Sequence, residues 1–155
     1  MKTTRTATRN KAVILVGPEF NEESTIQCLC QMRQEGLAVD LVGTMAGILK
    51  GLHGVTICLD SSLSQLVEPV ATDFQLLVIP DGGKSVATLL SDPRVHELIA
   101  AVLNQGGFVA AMSPAVRQIL ATVGVLTPEH AAHFLSRGHS GTPEFVQEML
   151  RHVPA

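Results

Sequence analysis

Continuous apolar runs alternate with helix-like stretches along this chain. The runs span residues 12–17 (AVILVG), 37–43 (LAVDLVG) and 74–80 (FQLLVIP). Apolar runs of this length that end at Gly or Pro are typical of strands buried on both faces of a parallel sheet. Between the first two runs, Asn21 and the acids after it predict the start of a helix, and Gly36 predicts its end. Strand, helix and strand within about thirty residues predict a right-handed βαβ unit.

The same alternation continues to the C-terminus. The further predicted elements are a Gly-rich connection (Met45–Gly54), a strand (Val55–Leu59), a turn with a short helix (Asp60–Val67), a helix (Asp92–Gln105), a strand (Phe108–Met112) and two helices (Pro114–Val123 and Thr142–Val153). This order predicts an α/β sandwich with a mostly parallel sheet, in a single domain over residues 12–153. Residues 1–11 are basic and rich in Thr, and we predict that they form a disordered tail.

The composition of the chain argues against two classes of binding partner, nucleic acids and membranes. Hydrophobic residues make up 46% of the chain, but it has no Trp or Tyr and its formal net charge is -3. A nucleic-acid partner is not expected, because a basic surface and aromatic stacking platforms are both missing from the sequence. A membrane span is not expected either, because no apolar run approaches about 20 residues. Cys28, Cys30 and Cys58 are an odd number of cysteines, which favours a reducing, cytoplasmic location and side chains that pack in the interior.

One stretch, GFVAAMSPAVRQIL at residues 107–120, joins a strand to a helix through a sharp turn. This layout is typical of a nucleophile elbow, in which one side chain, here Ser113, stands above the sheet. Pro114 follows directly, and proline has no N–H to donate and biases the residue before it toward extended backbone. The alternative is that Ser113 is an N-cap, followed by proline at the first helical position.

Four motifs now stand in a recognisable order: AVILVG, VTICLDSSL, LLVIPDGG and GFVAAMSPAVRQIL, with SRGHSGT before the last helix. Over residues 11–153 they resemble the ThiJ/PfpI superfamily, which contains DJ-one-like and class I glutamine amidotransferase-like proteins. The resemblance implies a flavodoxin-like three-layer sandwich and a homodimer. The domain is also similar to the C-terminal domain of large-subunit catalases, which has this fold and lacks the nucleophile.

The chain departs from the pattern of active relatives. They carry a cysteine at the elbow, where this chain has Ser113, and a glutamate near the first helix. The nearest residues to that glutamate are Glu22, Glu23 and Ser24, and Ser24 aligns with it. The family loop usually reads Pro-Gly-Gly, whereas here Asp81 puts a carboxylate beside the place where negative charge would develop. The stretch between the elbow helix and the last helix is also shortened.

These departures together predict a family member without catalysis, with a binding, regulatory or structural role and a small-molecule ligand at the elbow. Asp81, Gly82 and Gly83 would form the oxyanion or ligand loop of that site. One alternative is a small hydrolase or amidase with Ser113 as nucleophile and His139 or Glu23 as its base. A glyoxalase, protease or deglycase activity is implied by the resemblance alone, and the missing elbow cysteine argues against it.

Two histidines three residues apart, His130 and His133, would share one face of a helix and could grip zinc. No third ligand follows at a convincing zinc spacing. We therefore predict no metal and no cofactor.

Overall fold

The structure is a computed structural model that describes residues 11–66, 74–138 and 141–153 of the 155-residue chain. The predicted N-terminal tail lies outside these residues apart from Lys11, which is already part of the first strand.

Parallel strands form the centre of the molecule. Within the described residues the strands are β1 (Lys11–Val16), β2 (Ala38–Gly43), β3 (Ile48–Lys50), β4 (Thr56–Cys58), β5 (Ser61–Ser62), β6 (Phe74–Ile79), β7 (Phe108–Ala111) and β8 (Phe134–Ser136). Six of them make one sheet in the order β5-β2-β1-β6-β7-β8, with every neighbouring pair parallel. The strands β3 and β4 form a separate antiparallel pair.

Helices cover both faces of the large sheet. They are α1 (Glu22–Gln34), α2 (Gly83–Leu90), α3 (Pro93–Asn104), α4 (Ala115–Thr122) and α5 (Thr142–His152), with 3₁₀ turns at Leu63–Gln65 and Pro128–His133. Alternate residues of β1 point to opposite faces: Ile14 packs with α1 and α5, whereas Leu15 packs with α2, α3 and α4. The predicted α/β three-layer sandwich, flavodoxin-like with a mostly parallel sheet, is confirmed.

Polar side chains begin two of the helices as the sequence predicts. The Asn21 side chain accepts a hydrogen bond from the Ser24 N–H at the start of α1, at 3.1 Å. Asp92 does the same for the Arg94 N–H of α3, at 2.9 Å, with Pro93 as the first helical residue. None of the helices within the described ranges is long and apolar enough to cross a lipid bilayer.

Several short elements differ from the sequence prediction. The predicted connection Met45–Gly54 contains β3, and the strand predicted beside it pairs with β3 rather than with the large sheet. The helix α2 was not predicted, and neither was β8 within the stretch before the last helix. Cys28 is buried as predicted, but Cys30 and Cys58 are exposed rather than packed in the interior. Strands of three residues are too short to show a periodicity, and α2 begins at Gly83, the second of two consecutive glycines.

The loop after β1 is tied to the start of α2. The Gly17 N–H donates to Ser85 Oγ at 2.8 Å, and the Ser85 side chain is buried. This bond joins the carboxyl end of a central strand to a helix that begins near the predicted ligand loop.

Replacing Ser85 by Ala should lower the free energy of unfolding by about 1–3 kcal/mol, because the Gly17 N–H would be left buried without an acceptor. Urea unfolding followed by circular dichroism measures this change. Thr88→Ala, at an exposed position of the same helix, is the matched control and should change stability by less than about 0.5 kcal/mol. Equal effects of the two substitutions would contradict the assigned role of Ser85.

Candidate functional site

The carboxyl ends of three neighbouring strands bring polar residues to one edge of the sheet. Asp81 follows β6, Ser113 follows β7 and Arg137 follows β8. The backbone pairing continues past the strand ends, since the Met112 N–H donates to the Ile79 carbonyl at 3.0 Å. Adjacent strands lie about 4.8 Å apart, and the crevice outside such strand ends is where open α/β sheets bind ligands.

The Asp81 carboxylate is bound from two sides. Ser24 Oγ donates to Oδ1 at 2.5 Å, and Arg137 Nη2 donates to Oδ2 at 3.1 Å. Ser24 is buried, whereas the side chains of Asp81 and Arg137 keep 25% and 21% of their surface exposed. The three side chains therefore form a charge-neutral polar network that a ligand in the crevice can reach.

The backbone around Asp81 is held as firmly as its side chain. The Asn21 N–H donates to the Asp81 carbonyl at 3.1 Å, which connects the N-cap of α1 to the loop after β6. Gly82 has a φ of +123°, and a Cβ there would lie 3.0 Å from the Asn21 nitrogen and the Glu19 oxygen. Only glycine fits this conformation and this close approach without strain. The carboxylate of Asp81 consequently has a defined direction.

Arg137 was quoted in the motif before the last helix but was given no role from the sequence. Its N–H donates to the Ala111 carbonyl at 3.1 Å, which places it directly after β8. Its Nε is buried and has no hydrogen-bond partner within the described part of the chain. A cation directly after a strand, at the sheet edge where the Asp81 carboxylate is expected, would have identified Arg137 in the sequence. This signal requires β8 to be predicted, and the sequence did not predict β8.

Ser113 is half-buried in the turn after β7. The N-cap of α4 is Pro114, with φ -66° and ψ -21°, so the helix begins one residue later than predicted. The Ser113 carbonyl accepts from the Val116 N–H at 3.3 Å, but its hydroxyl makes no capping bond, and the N-cap alternative for Ser113 is wrong. Over the described ranges, no side chain hydrogen-bonds to the Ser113 hydroxyl.

The other predicted catalytic residues are not brought to Ser113 by a hydrogen bond within the described residues. Glu23 is exposed on the first turn of α1, and His139 lies outside the described residues. Gly82 and Gly83 begin α2, and Gly82, its N-cap, supplies no side-chain hydrogen bond to the helix. The catalytic roles of Ser113, Glu23 and His139 stay predictions.

The two histidines considered for zinc have separate partners. His130 Nδ1 lies 3.4 Å from Thr127 Oγ1, and His133 Nδ1 lies 3.1 Å from the Gly107 carbonyl. The His133 ring also stacks on Phe108, with 4.3 Å between ring centroids. Across the described residues, no three His, Cys, Asp or Glu side chains are grouped so that they could hold a metal ion.

A buried carboxylate, that of Glu22, lies at the start of α1, three residues after Glu19 and one after the N-cap Asn21. Its Oε2 accepts from the His53 N–H at 2.7 Å and the Val55 N–H at 3.0 Å, and its Oε1 lies 2.8 Å from His53 Nδ1. Burial by itself would raise the pKa of the Glu22 carboxyl, but these hydrogen bonds together outweigh it and lower the pKa to about 2. Glu22 therefore fixes the loop between β3 and β4 to the start of α1.

Two sequence comparisons give matches that cover most of the chain. A family model described as the DJ-1/PfpI family matches residues 10–146. An uncharacterized protein of Methanocaldococcus jannaschii is 27% identical over 144 residues, a match that covers 91% of this chain. This chain spans 64% of the length of that relative.

Solved structures share the architecture. Drosophila melanogaster DJ-1beta superposes with a TM-score of 0.75 at 21% identity, covering 93% of this chain and 90% of that one. A DJ-1 superfamily protein of Salmonella typhimurium has a TM-score of 0.73 at 19% identity, with 92% and 89% covered. Schizosaccharomyces pombe DJ-1 has a TM-score of 0.73 at 15% identity, with 94% and 92% covered. At these identities the likeness is one of fold.

The Glu22 carboxylate makes the free energy of unfolding depend on pH in the acidic range. Since its pKa in the folded protein is about 2, below the ordinary value of 4.5, its contribution is complete above that ordinary value and is lost as the pH falls toward 2. We expect the free energy of unfolding to fall over this range, and the fall to be smaller in Glu22→Gln. Urea titrations at several pH values measure both slopes. Glu97→Gln, exposed on α3, is the control and should keep the wild-type slope; an unchanged slope in Glu22→Gln would contradict the assignment.

Proposed function

This chain belongs to the DJ-1/PfpI family, and from that premise we propose that it is a non-catalytic member. In this proposal the crevice at the strand ends binds a small polar molecule, in a binding, regulatory or structural role, instead of reacting with it at the elbow. The observation that carries the proposal is the Asp81 carboxylate, held by Ser24 and Arg137 on the strand end next to Ser113.

Electrostatics at the elbow supports this conclusion. Acyl transfer builds negative charge on the substrate oxygen, and catalysis depends on donors placed where that charge develops. Here the strand end beside Ser113 carries a carboxylate, and the nearby guanidinium of Arg137 is already paired with it. A negative intermediate at Ser113 would lie beside a strand end whose cation, Arg137, is already paired with Asp81 and is not free to stabilise the intermediate.

The groups that activate a nucleophile are also replaced. Ser24, which aligns with the family glutamate, donates a hydrogen bond from its hydroxyl to Asp81 and carries no charge. A serine nucleophile needs a neighbouring base near neutral pH. Pro114 has no N–H, and the loss of one oxyanion donor lowers the rate by about 10²–10³. Each replacement removes a contribution to reactivity, whereas the Asp81 and Arg137 side chains stay partly exposed.

The wider biological setting is part of the proposal. We propose a cytoplasmic homodimer that acts without a metal or a cofactor and without contact to nucleic acid or membrane. The resemblance to the family and the composition of the chain support this setting.

A hydrolase is the second candidate, favoured by the start of α2. The Gly82 N-cap leaves the first N–H groups of that helix without a side-chain acceptor, and such groups suit an oxyanion. Ser113 would be its nucleophile, with His139 or Glu23 as base. A glyoxalase, protease or deglycase reaction would require an elbow thiol in place of the Ser113 hydroxyl.

A serine-directed fluorophosphonate distinguishes the two candidates. We expect the wild-type protein to show no more labelling than Ser113→Ala, because within the described residues no side chain hydrogen-bonds to the Ser113 hydroxyl. Intact-protein mass spectrometry measures the adduct, with a known serine hydrolase as positive control. Labelling that disappears in Ser113→Ala would overturn the non-catalytic proposal and support the hydrolase, and loss of the labelling in His139→Ala or in Glu23→Ala would identify the base.

An introduced thiol measures the charge at the elbow directly. In Ser113→Cys we expect a thiol pKa at or above the ordinary value of about 8.5, because the Asp81 carboxylate disfavours the thiolate. Adding Asp81→Asn should lower this pKa, because the Arg137 charge is then no longer neutralised. Iodoacetamide rates against pH, followed at each site by mass spectrometry, give both values, and the exposed Cys30 is the internal control. A pKa well below 8.5 in Ser113→Cys alone would contradict the proposal.

A further inference from the structure

A polar groove runs between the second half of α1 and the first turns of α5, with a volume of about 480 Å³. The side chains that line it are mostly amides: Gln27, Gln31, Gln34 and Gln147, together with Cys30 and Glu35. We call it the glutamine groove. Gln31 Nε2 donates to the Pro143 carbonyl at 3.2 Å and joins the two helices, whereas the other three amides form no hydrogen bond within the described residues.

The glutamine amides match the backbone of a peptide. Each amide carries both a donor and an acceptor, as a peptide unit does. An extended segment without a partner strand has its own N–H and C=O groups free for such bonds. The described residues that line the groove include no large apolar side chain, so the groove offers little to an apolar ligand. This surface therefore fits an extended, polar peptide segment.

The charge around the glutamine groove is negative. Four carboxylates at the surface of α1 and α5 form no ion pair with any other described residue: those of Glu23, Glu35, Glu144 and Glu148. The cations of the two helices are fewer, since Arg33 is paired with Asp60 at 3.2 Å and Arg151 lies in the last turn of α5. The carboxyl end of α1 adds the negative end of its dipole beside Glu35. A cationic segment is therefore favoured.

Residues 1–10 have this chemistry, and they lie outside the described residues. Their sequence, MKTTRTATRN, contains Lys and Arg but no Asp or Glu. By itself such a segment has too few apolar side chains to form a core, which is why its sequence predicts disorder, but it can still become ordered in a groove on a folded domain. Arg5, Ala7 and Arg9 share one side of the segment when it is extended, because side chains alternate.

The segment leaves the sheet near one end of the glutamine groove. Lys11 pairs with Ala38 across β1 and β2, at about 4.8 Å. Glu35 lies three residues before Ala38, so Lys11 and Glu35 are at most about 16 Å apart. Arg9 is two residues before Lys11, about 7 Å in an extended chain. The long side chains of Arg9 and Glu35 cover the remaining distance.

The spacing of the two arginines matches the length of the groove. An extended chain covers about 13 Å from Arg9 to Arg5. The helix α1 covers about 12 Å from Glu35 back to Gln27. Glu23 lies one helical turn beyond Gln27 on the same side of α1. An extended segment with Arg9 beside Glu35 consequently brings Arg5 toward Glu23.

We propose that residues 5–9 bind as an extended segment in the glutamine groove of the same chain. Arg9 lies against Glu35 at one end of the groove. Ala7 lies over the Cys30 thiol in its middle and shields it from solvent. This inference goes beyond the proposed function, because the crevice at the strand ends takes no part in it.

Disulfide trapping tests the position of the segment and which side faces the groove. In Ala7→Cys we expect oxidised glutathione to produce a disulfide with Cys30 within one chain. Thr8→Cys is the matched control, because its side chain faces away from the groove, and it should give at least about fivefold less of this disulfide. Peptide mapping by mass spectrometry at about 1 µM protein identifies the partner, and the exposed Cys58 reports random encounters.

A charge exchange tests the pairing of Arg9 with Glu35. Arg9→Glu should raise the rate at which iodoacetamide alkylates Cys30 by at least about threefold, because a tethered segment is at millimolar effective concentration and its release uncovers the thiol. Adding Glu35→Lys should restore the wild-type rate. Lys84→Glu, an equal change of charge at an exposed position of α2, is the control and should leave the rate unchanged.

The limiting rate of the thiolate, taken from a pH profile, excludes effects of charge on the thiol pKa. Circular dichroism verifies that each variant is folded.

Each outcome supports or overturns a defined part of the proposal. Equal disulfide yields from Ala7→Cys and Thr8→Cys, or equal pairing with Cys30 and Cys58, would overturn binding in the groove. A disulfide that joins two chains, seen as a doubled mass, would overturn binding within the same chain. An alkylation rate of Cys30 that does not change in Arg9→Glu would overturn the pairing with Glu35.

Discussion

The carboxylate of Asp81 is the contact on which the candidate site depends. It accepts hydrogen bonds from the Ser24 hydroxyl of α1 and from the Arg137 guanidinium at the end of β8. The backbone carbonyl of Asp81 accepts a further hydrogen bond from the Asn21 N–H. Three segments that are distant in the sequence meet at this one residue. A partly buried ion pair with two further hydrogen bonds fixes direction more than it adds stability. The polar edge of the sheet is arranged around a negative charge that the protein itself supplies.

The large elements could be predicted because burial leaves a strong pattern. A strand covered on both faces must be apolar along its whole length, as in β1 and β6, and Asn21 and Asp92 mark helix starts through chemistry local to the chain. The resemblance to the family implied that Asp81 lies near the elbow at Ser113, and the parallel topology gives the physical reason, because the two residues follow neighbouring strands.

The elements and contacts that the sequence did not predict are formed by tertiary interactions. The three-residue strands β3 and β8 are stabilised by pairing with neighbours, and their own sequences carry too little periodicity. Arg137 acquires its role only because β8 brings it beside β7, which places it within reach of Asp81. Glu22 was considered as a counterpart of the family glutamate, but its hydrogen bonds run to residues 53 and 55, a contact that no local spacing reveals.

One helical turn holds two different parts of the molecule. Glu22 binds the loop between β3 and β4, and Ser24, two residues later, binds Asp81 in the crevice. Because a helix moves as a unit, a displacement of this turn by a molecule bound at Asp81 also displaces the loop held by Glu22. Thermodynamic linkage makes any such effect reciprocal, so occupancy of the crevice and any equilibrium of the loop would change each other by the same factor. The first turn of α1 thus connects the crevice at Asp81 to the loop between β3 and β4.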